Sequence, residues 1–107
     1  MHWAGASLRI QPHEFAALST YGEIPGANLL DWPISYDELA PYYDRAERRM
    51  GVTRTNDNKG LSGNNNFKVM HAGAKNMGYS CNTGHMAINS ENRDGRPACQ
   101  QRGLCFQ

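Results

Sequence analysis

Three groups of residues in this 107-residue chain have types and spacings that could do chemistry. The first is His2-Trp3 followed by Ala4, Gly5, Ala6 and Ser7, an imidazole and an indole leading into a run of small side chains. Small residues let a backbone approach a flat ligand closely, because little stands out from the chain. A neutral imidazole beside them is a competent nucleophile once it is positioned and deprotonated. The second group is Cys99 and Cys105 in "ACQQRGLCFQ", a C-x5-C spacing. Two thiols in a Gly-containing loop can pair as a disulfide, ligate zinc or stay free, and the spacing alone does not choose. The third is Cys81 with His85, a C-x3-H pair that suggests zinc but has no second pair at matching spacing. His13, His71 and His85 read as surface or locally hydrogen-bonded histidines.

The elements that must position these residues are few. In "ISYDELAPYYDRAERRMGV", Ser35 and Glu38 have the spacing of a capping box, which satisfies the first free N–H groups of a helix. Pro41 lacks an N–H and crowds the preceding turn. The sequence therefore predicts a short turn over 35–40, then a helix from Pro41 to Met50 stopped by Gly51. Tyr42, Tyr43, Ala46 and Met50 would form its apolar stripe, with Asp44, Arg45, Glu47, Arg48 and Arg49 mostly outside. A second helix is expected over Phe67–Met77, capped by one of Asn64–Asn66 and ended by Gly78. Short extended pieces are expected at Ala6–Gln11 and around His85–Asn89. "STYGEIPGANLLDWP" and "TRTNDNKGLSGNNN" read as irregular and polar loop respectively.

The length suits one domain at most. Only sixteen residues are Leu, Ile, Val or Phe, about 15% of the chain and below the ~20% that ordinary domains exceed. Net charge is only +1, so this is not the composition of a charged disordered tail. Tyr, Trp and Met supply apolar area of another kind. Such a balance fits a loop-rich piece that borrows core from elsewhere. It carries no electrostatic footprint for nucleic acid or an anionic membrane. No apolar run is long enough to cross a bilayer, and no secretory signal follows Met1.

With its segments laid out, the chain resembles the glucose–methanol–choline (GMC) oxidoreductases, flavoproteins that oxidise alcohols. The likeness is strongest to the large FAD-containing subunits of gluconate- and sorbitol-type dehydrogenases. It rests on "HWAGASLR" at 2–9, "YGEIPGANLLDWPISYDELAPYYDRAERRMGV" at 21–52, "GNNNFK" at 63–68 and "CQQRGLCF" at 99–106. The resemblance implies that His2, Trp3, Ala4, Gly5, Ala6 and Ser7 lie beside the flavin ring of FAD. It makes His2 a candidate for covalent attachment of the flavin, as in some relatives. It implies that Cys99 and Cys105 ligate an iron–sulfur cluster, with a further Cys expected beyond Gln107. As a lone pair they would hold no cluster and would oxidise to a disulfide in air.

Two helices, short extended pieces and much loop predict a mixed α+β segment, and by the resemblance it is an incomplete portion of a Rossmann-like flavoprotein. The segments are 1–34 flavin-proximal, 35–51 capped helix, 52–66 polar loop, 67–78 helix, and 79–107 a short strand and Cys-containing loop. Neither "GASLRI" nor "GLSGNN" has the G-x-G-x-x-G spacing after an apolar strand, so the dinucleotide-binding fingerprint is expected upstream. The family's catalytic His is expected downstream. The function implied is that of a central fragment, inactive alone, of an FAD-dependent dehydrogenase of polyols or sugar acids. The implied partners are the rest of that flavoprotein, a small subunit and cytochrome c. A periplasmic, membrane-attached setting is inherited from such relatives. The competing expectation is a free-standing binding module that presents Trp3, Trp32, Tyr42 and Tyr43 to a partner.

Overall fold

The computed structural model describes residues 5–102. His2, Trp3, Ala4 and Cys105 lie outside them. A 3-10 turn at Pro12–Glu14 leads into α1 (Ala17–Tyr21), followed by α2 (Tyr36–Met50) and α3 (Asn65–Asn76). The segment expected to be irregular thus begins inside α1. Ala16, at the α1 N-cap, has no side chain that can cap; Asp31 does so from across a single bridge. Its carboxylate accepts from the Ser19 N–H at 2.9 Å and from the Ser19 hydroxyl.

α2 starts at Ser35 as the capping box requires. The Ser35 hydroxyl accepts from the Glu38 N–H at 3.2 Å, and the Glu38 carboxylate accepts from the Ser35 N–H at 2.8 Å. The expected break before Pro41 is absent, and one helix runs through it. Pro41 removes only the bond to the Asp37 carbonyl, and Asp37 is exposed, so water can satisfy that group. The expected apolar stripe is also corrected. Tyr42 is 62% and Met50 44% exposed, whereas Tyr36, Leu39, Ala40, Tyr43, Asp44 and Glu47 form the inward face. Gly51 ends the helix at φ +66°, where the Val52 N–H reaches back to the Glu47 carbonyl at 2.9 Å. α3 begins two residues earlier than expected, capped within the expected Asn64–Asn66 by Asn64, whose side chain accepts from the Phe67 N–H at 2.9 Å. It closes at Gly78, with the Tyr79 N–H bonded to the Ala74 carbonyl at 2.9 Å.

Among the described residues no backbone ladder extends beyond single bridges, so the strand half of the α+β expectation is not met. The two pieces expected to be extended do pair, but only through Ala6 and Met86. Burial is thin. Among the described residues Phe15 and Val52 are the buried apolar side chains, and Glu47 and Thr53 the buried polar ones. The accessible surface is 8697 Å², against about 6,000 Å² for a compact 11.9 kDa chain. The radius of gyration is 17.7 Å, where a compact chain of this length has about 13 Å. Both values fit the reading of a loop-rich piece with little core of its own. No helix among the described residues is long and apolar enough to cross a membrane.

Candidate functional site

Of the small-residue run, Gly5, Ala6 and Ser7 fall within the described residues and form a short strap. Gly5 is buried at φ +80°, a conformation that an L side chain rarely adopts. Its carbonyl accepts from the Ala87 N–H at 2.7 Å and from the Ser7 hydroxyl at 3.1 Å. The Ser7 N–H donates to the His85 carbonyl at 3.0 Å. Ala6, between them, is exposed. The strap is therefore pinned along one edge, and its exposed residue carries only a methyl group.

The segment 85–87 is held from its other side by Thr53, which follows α2 closely. The Thr53 N–H donates to the Met86 carbonyl at 2.8 Å, and the Met86 N–H returns to the Thr53 hydroxyl at 3.0 Å. That hydroxyl also donates to the Gly84 carbonyl at 3.3 Å. His85 and Ala87 thus bond to the strap while Met86 bonds to Thr53. A side-chain oxygen stands where a strand would offer a backbone carbonyl, which is why no ladder propagates.

Past the strap, Arg9 is tied to α2. Its guanidinium donates to both Glu47 carboxylate oxygens at 2.7 and 2.6 Å, to Asp44 at 2.5 Å and to the Tyr36 hydroxyl at 3.2 Å. It lies 5.3 Å from the centre of the Tyr43 ring. Asn56 adds a bond to Glu47 at 3.0 Å. The hydrogen bond from Arg9 is the main cause holding the Glu47 carboxyl below its ordinary range; burial opposes it. The same bond raises Arg9 beyond any range in which it titrates. A groove of about 770 Å³ runs beside this cluster, between Ser7, Arg9, Tyr36, Asn56 and His85. Arg9, Glu47, Thr53 and Met86 carry no role in the sequence reading. Their one legible signal is the pair of carboxylates, Asp44 and Glu47, on the helix face that also carries Tyr36, Leu39, Ala40 and Tyr43, which calls for a cationic partner.

Cys99 is half-buried; its N–H donates to the Asn89 carbonyl at 2.8 Å, and its Sγ accepts from the Gln101 N–H at 3.4 Å. Neither Cys81 nor Cys99 is in a disulfide. Among the described residues no three His, Cys, Asp or Glu side chains converge as a metal site would need. His13 packs edge-on to Tyr21 and His71 lies beside Phe67, at ring separations of 6.2 and 5.7 Å.

The fold is that of a helical segment which pins a small-residue strap. The family model of the GMC oxidoreductases matches residues 28–105, and the chain belongs to that family. It is similar to paromamine 6'-oxidase of Streptomyces fradiae, 34% identical over 96% of this chain and 20% of that protein. It is also similar to the fructose dehydrogenase large subunit of Gluconobacter japonicus, 33% identical over 98% of this chain and 21% of that protein. A third relative is the gluconate 2-dehydrogenase flavoprotein of Pantoea cypripedii, 33% identical over 50% of this chain and 10% of that protein. The chain spans about a fifth of the length of the first two.

Proposed function

We propose that this chain is a central segment of an FAD-dependent GMC oxidoreductase that oxidises a CH–OH group of a sugar, sugar acid or polyol. The observation that carries the reading is the strap: Gly5 to Ser7 is fixed by backbone bonds to 85–87 while Ala6 faces outward. Such an edge fits a flat ring system, since neither bulk nor charge projects from it. When bound, FAD supplies the acceptor for the hydride leaving the substrate carbon. The chain's own residues would orient the ring: Gly5, Ala6 and Ser7 by contact, and, by the family resemblance, His2, Trp3 and Ala4 before them in sequence, with His2 as the candidate attachment point. None of His13, His71 and His85 is assigned the proton of the substrate hydroxyl.

The substrate class is supported by relatives named for paromamine, fructose and gluconate, all rich in hydroxyl groups. The words "large subunit" in one of those names support a smaller partner subunit; a cytochrome c as a further partner rests on the family resemblance alone. Cys99 and Cys105 would be two thiolate ligands of an iron–sulfur cluster that relays electrons toward that cytochrome. The excess exposed surface supports packing against further polypeptide and inactivity in isolation. A second reading, a free-standing binding module, draws on the exposed Trp32 and Tyr42, 49% and 62% accessible. The test is to express the complete polypeptide that contains this sequence and record its visible spectrum with and without polyols. Bound flavin that bleaches with substrate is the expected result. A colourless protein whose isolated 107-residue chain unfolds cooperatively would transfer the case to the binding module.

A further inference from the structure

Among the described residues two polar side chains are buried, Glu47 and Thr53, and both are bonded to segments that hold the strap. Thr53 is 1% exposed and sits 46 positions from Ser7 in sequence, yet only one segment separates them in space. Its N–H and hydroxyl close a two-bond ring with Met86, and the neighbours of Met86 close a second ring with Gly5 and Ser7. Gly84, His85, Met86 and Ala87 are thereby fixed on both sides, and the strap takes its register from Thr53 through them. Taking the flavin-facing reading above as its basis, we propose that Thr53 is a positioning residue: its hydroxyl sets the height at which Ala6 meets the flavin ring.

The chemistry of the site makes the hydroxyl, and not the volume, the active feature. Val has the shape of Thr and would fill the same space, but it leaves the N–H of half-buried Met86 without its partner, while the carbonyl of exposed Gly84 can turn to water. An unpartnered group of that kind is relieved by local movement, and the segment free to move is 84–87 with the strap attached. Ser keeps the oxygen and loses only a methyl group.

The test uses the complete polypeptide, with Thr53→Val and Thr53→Ser compared with the parent. In folded Thr53→Val, flavin retention should weaken about tenfold and the visible circular dichroism of bound flavin should change, with kcat falling more than KM rises. Thr53→Ser should restore the parent signature. A folded Thr53→Val whose flavin dichroism, potential and kcat equal the parent's would overturn the proposal. If Thr53→Val does not fold, hydrogen exchange of the parent decides. Flavin removal should then speed exchange at Ser7 and Ala87, and unchanged rates there would overturn the proposal too. A parent that binds no flavin at all would instead remove the reading on which the proposal stands, a result distinguishable from either.

Discussion

Arg9 and Glu47 face each other in a two-pronged ion pair, guanidinium Nε to one carboxylate oxygen at 2.7 Å and Nη2 to the other at 2.6 Å. Glu47 is 6% exposed at its side chain and Arg9 25%, so water screens the pair only from one side. The planar fork is what a carboxylate in this position needs, and an ammonium cannot reproduce it. Arg9→Lys should therefore cost about 1–2 kcal/mol, and Arg9→Ala, which strands the Glu47 charge, about 3 kcal/mol. Chemical unfolding of the protein checks this: the midpoint should fall while the denaturant slope holds. Equal midpoints for Lys and Arg would show that charge alone matters.

Stability should fall at acid pH with a contribution from Glu47. Its folded pKa lies below the ordinary value of about 4.5. Its contribution is therefore present above that value and is lost as pH falls through the lower, folded one. Arg9 moves the other way, raised further above its ordinary value by its bond to Glu47, so its share persists at every pH at which the protein would be handled. Glu47→Gln should flatten the acid limb of a stability–pH curve without abolishing it. Asp31, held low mainly by the Ser19 hydroxyl, and Glu38, held low mainly by the Ser35 N–H, still titrate there. An unchanged limb in Glu47→Gln would remove the pair from the account.

The contrast between Ser35 and Arg9 shows what was legible in the sequence. The capping box, the Gly51 stop and the Asn64 cap depend on partners within five positions, so local spacing was enough to place the first two and to narrow the third to Asn64–Asn66. Arg9 meets Glu47 across 38 positions, and no periodicity connects them. The inward face of α2 was misjudged for a related reason. Hydrophobicity favoured Tyr42 and Met50, but the buried position belongs to Glu47, which tolerates burial only because Arg9 neutralises it. Thr53 was invisible because a side-chain hydroxyl replaces the backbone acceptor of a strand pair. The small-residue run has its proposed place beside the flavin from the resemblance; what the structure adds is that its described part, Gly5 to Ser7, is bonded as one strap to 85–87.

Pro41 should be a site where stability can be gained. It stands inside α2, where Pro costs about 3 kcal/mol relative to Ala. Ala would recover the bond to the Asp37 carbonyl but would loosen the unfolded chain by about 0.4–1 kcal/mol. The net expectation for Pro41→Ala is a gain of about 2 kcal/mol, read as a higher Tm. A lower Tm would mean that the Pro41 ring packs against something the exposed position does not reveal.

Gly51 should resist substitution for two separable reasons. Its φ of +66° strains any L residue by about 1–2 kcal/mol, and an added Cβ would stand 3.1 Å from Asn89 Oδ1 and 3.5 Å from the Arg93 side chain. Gly78 has a similar φ of +79° with open space around it, so Gly78→Ala measures the strain alone. Gly51→Ala should cost more than Gly78→Ala, and the difference reports the push on Asn89. That push has a second readout. The Asn89 carbonyl accepts from the Cys99 N–H at 2.8 Å, so displacing Asn89 loosens the Cys99 backbone. Thiol labelling of Cys99 should therefore speed up in Gly51→Ala and not in Gly78→Ala. Equal labelling rates in the two variants would show that the end of α2 and the cysteine loop are mechanically independent.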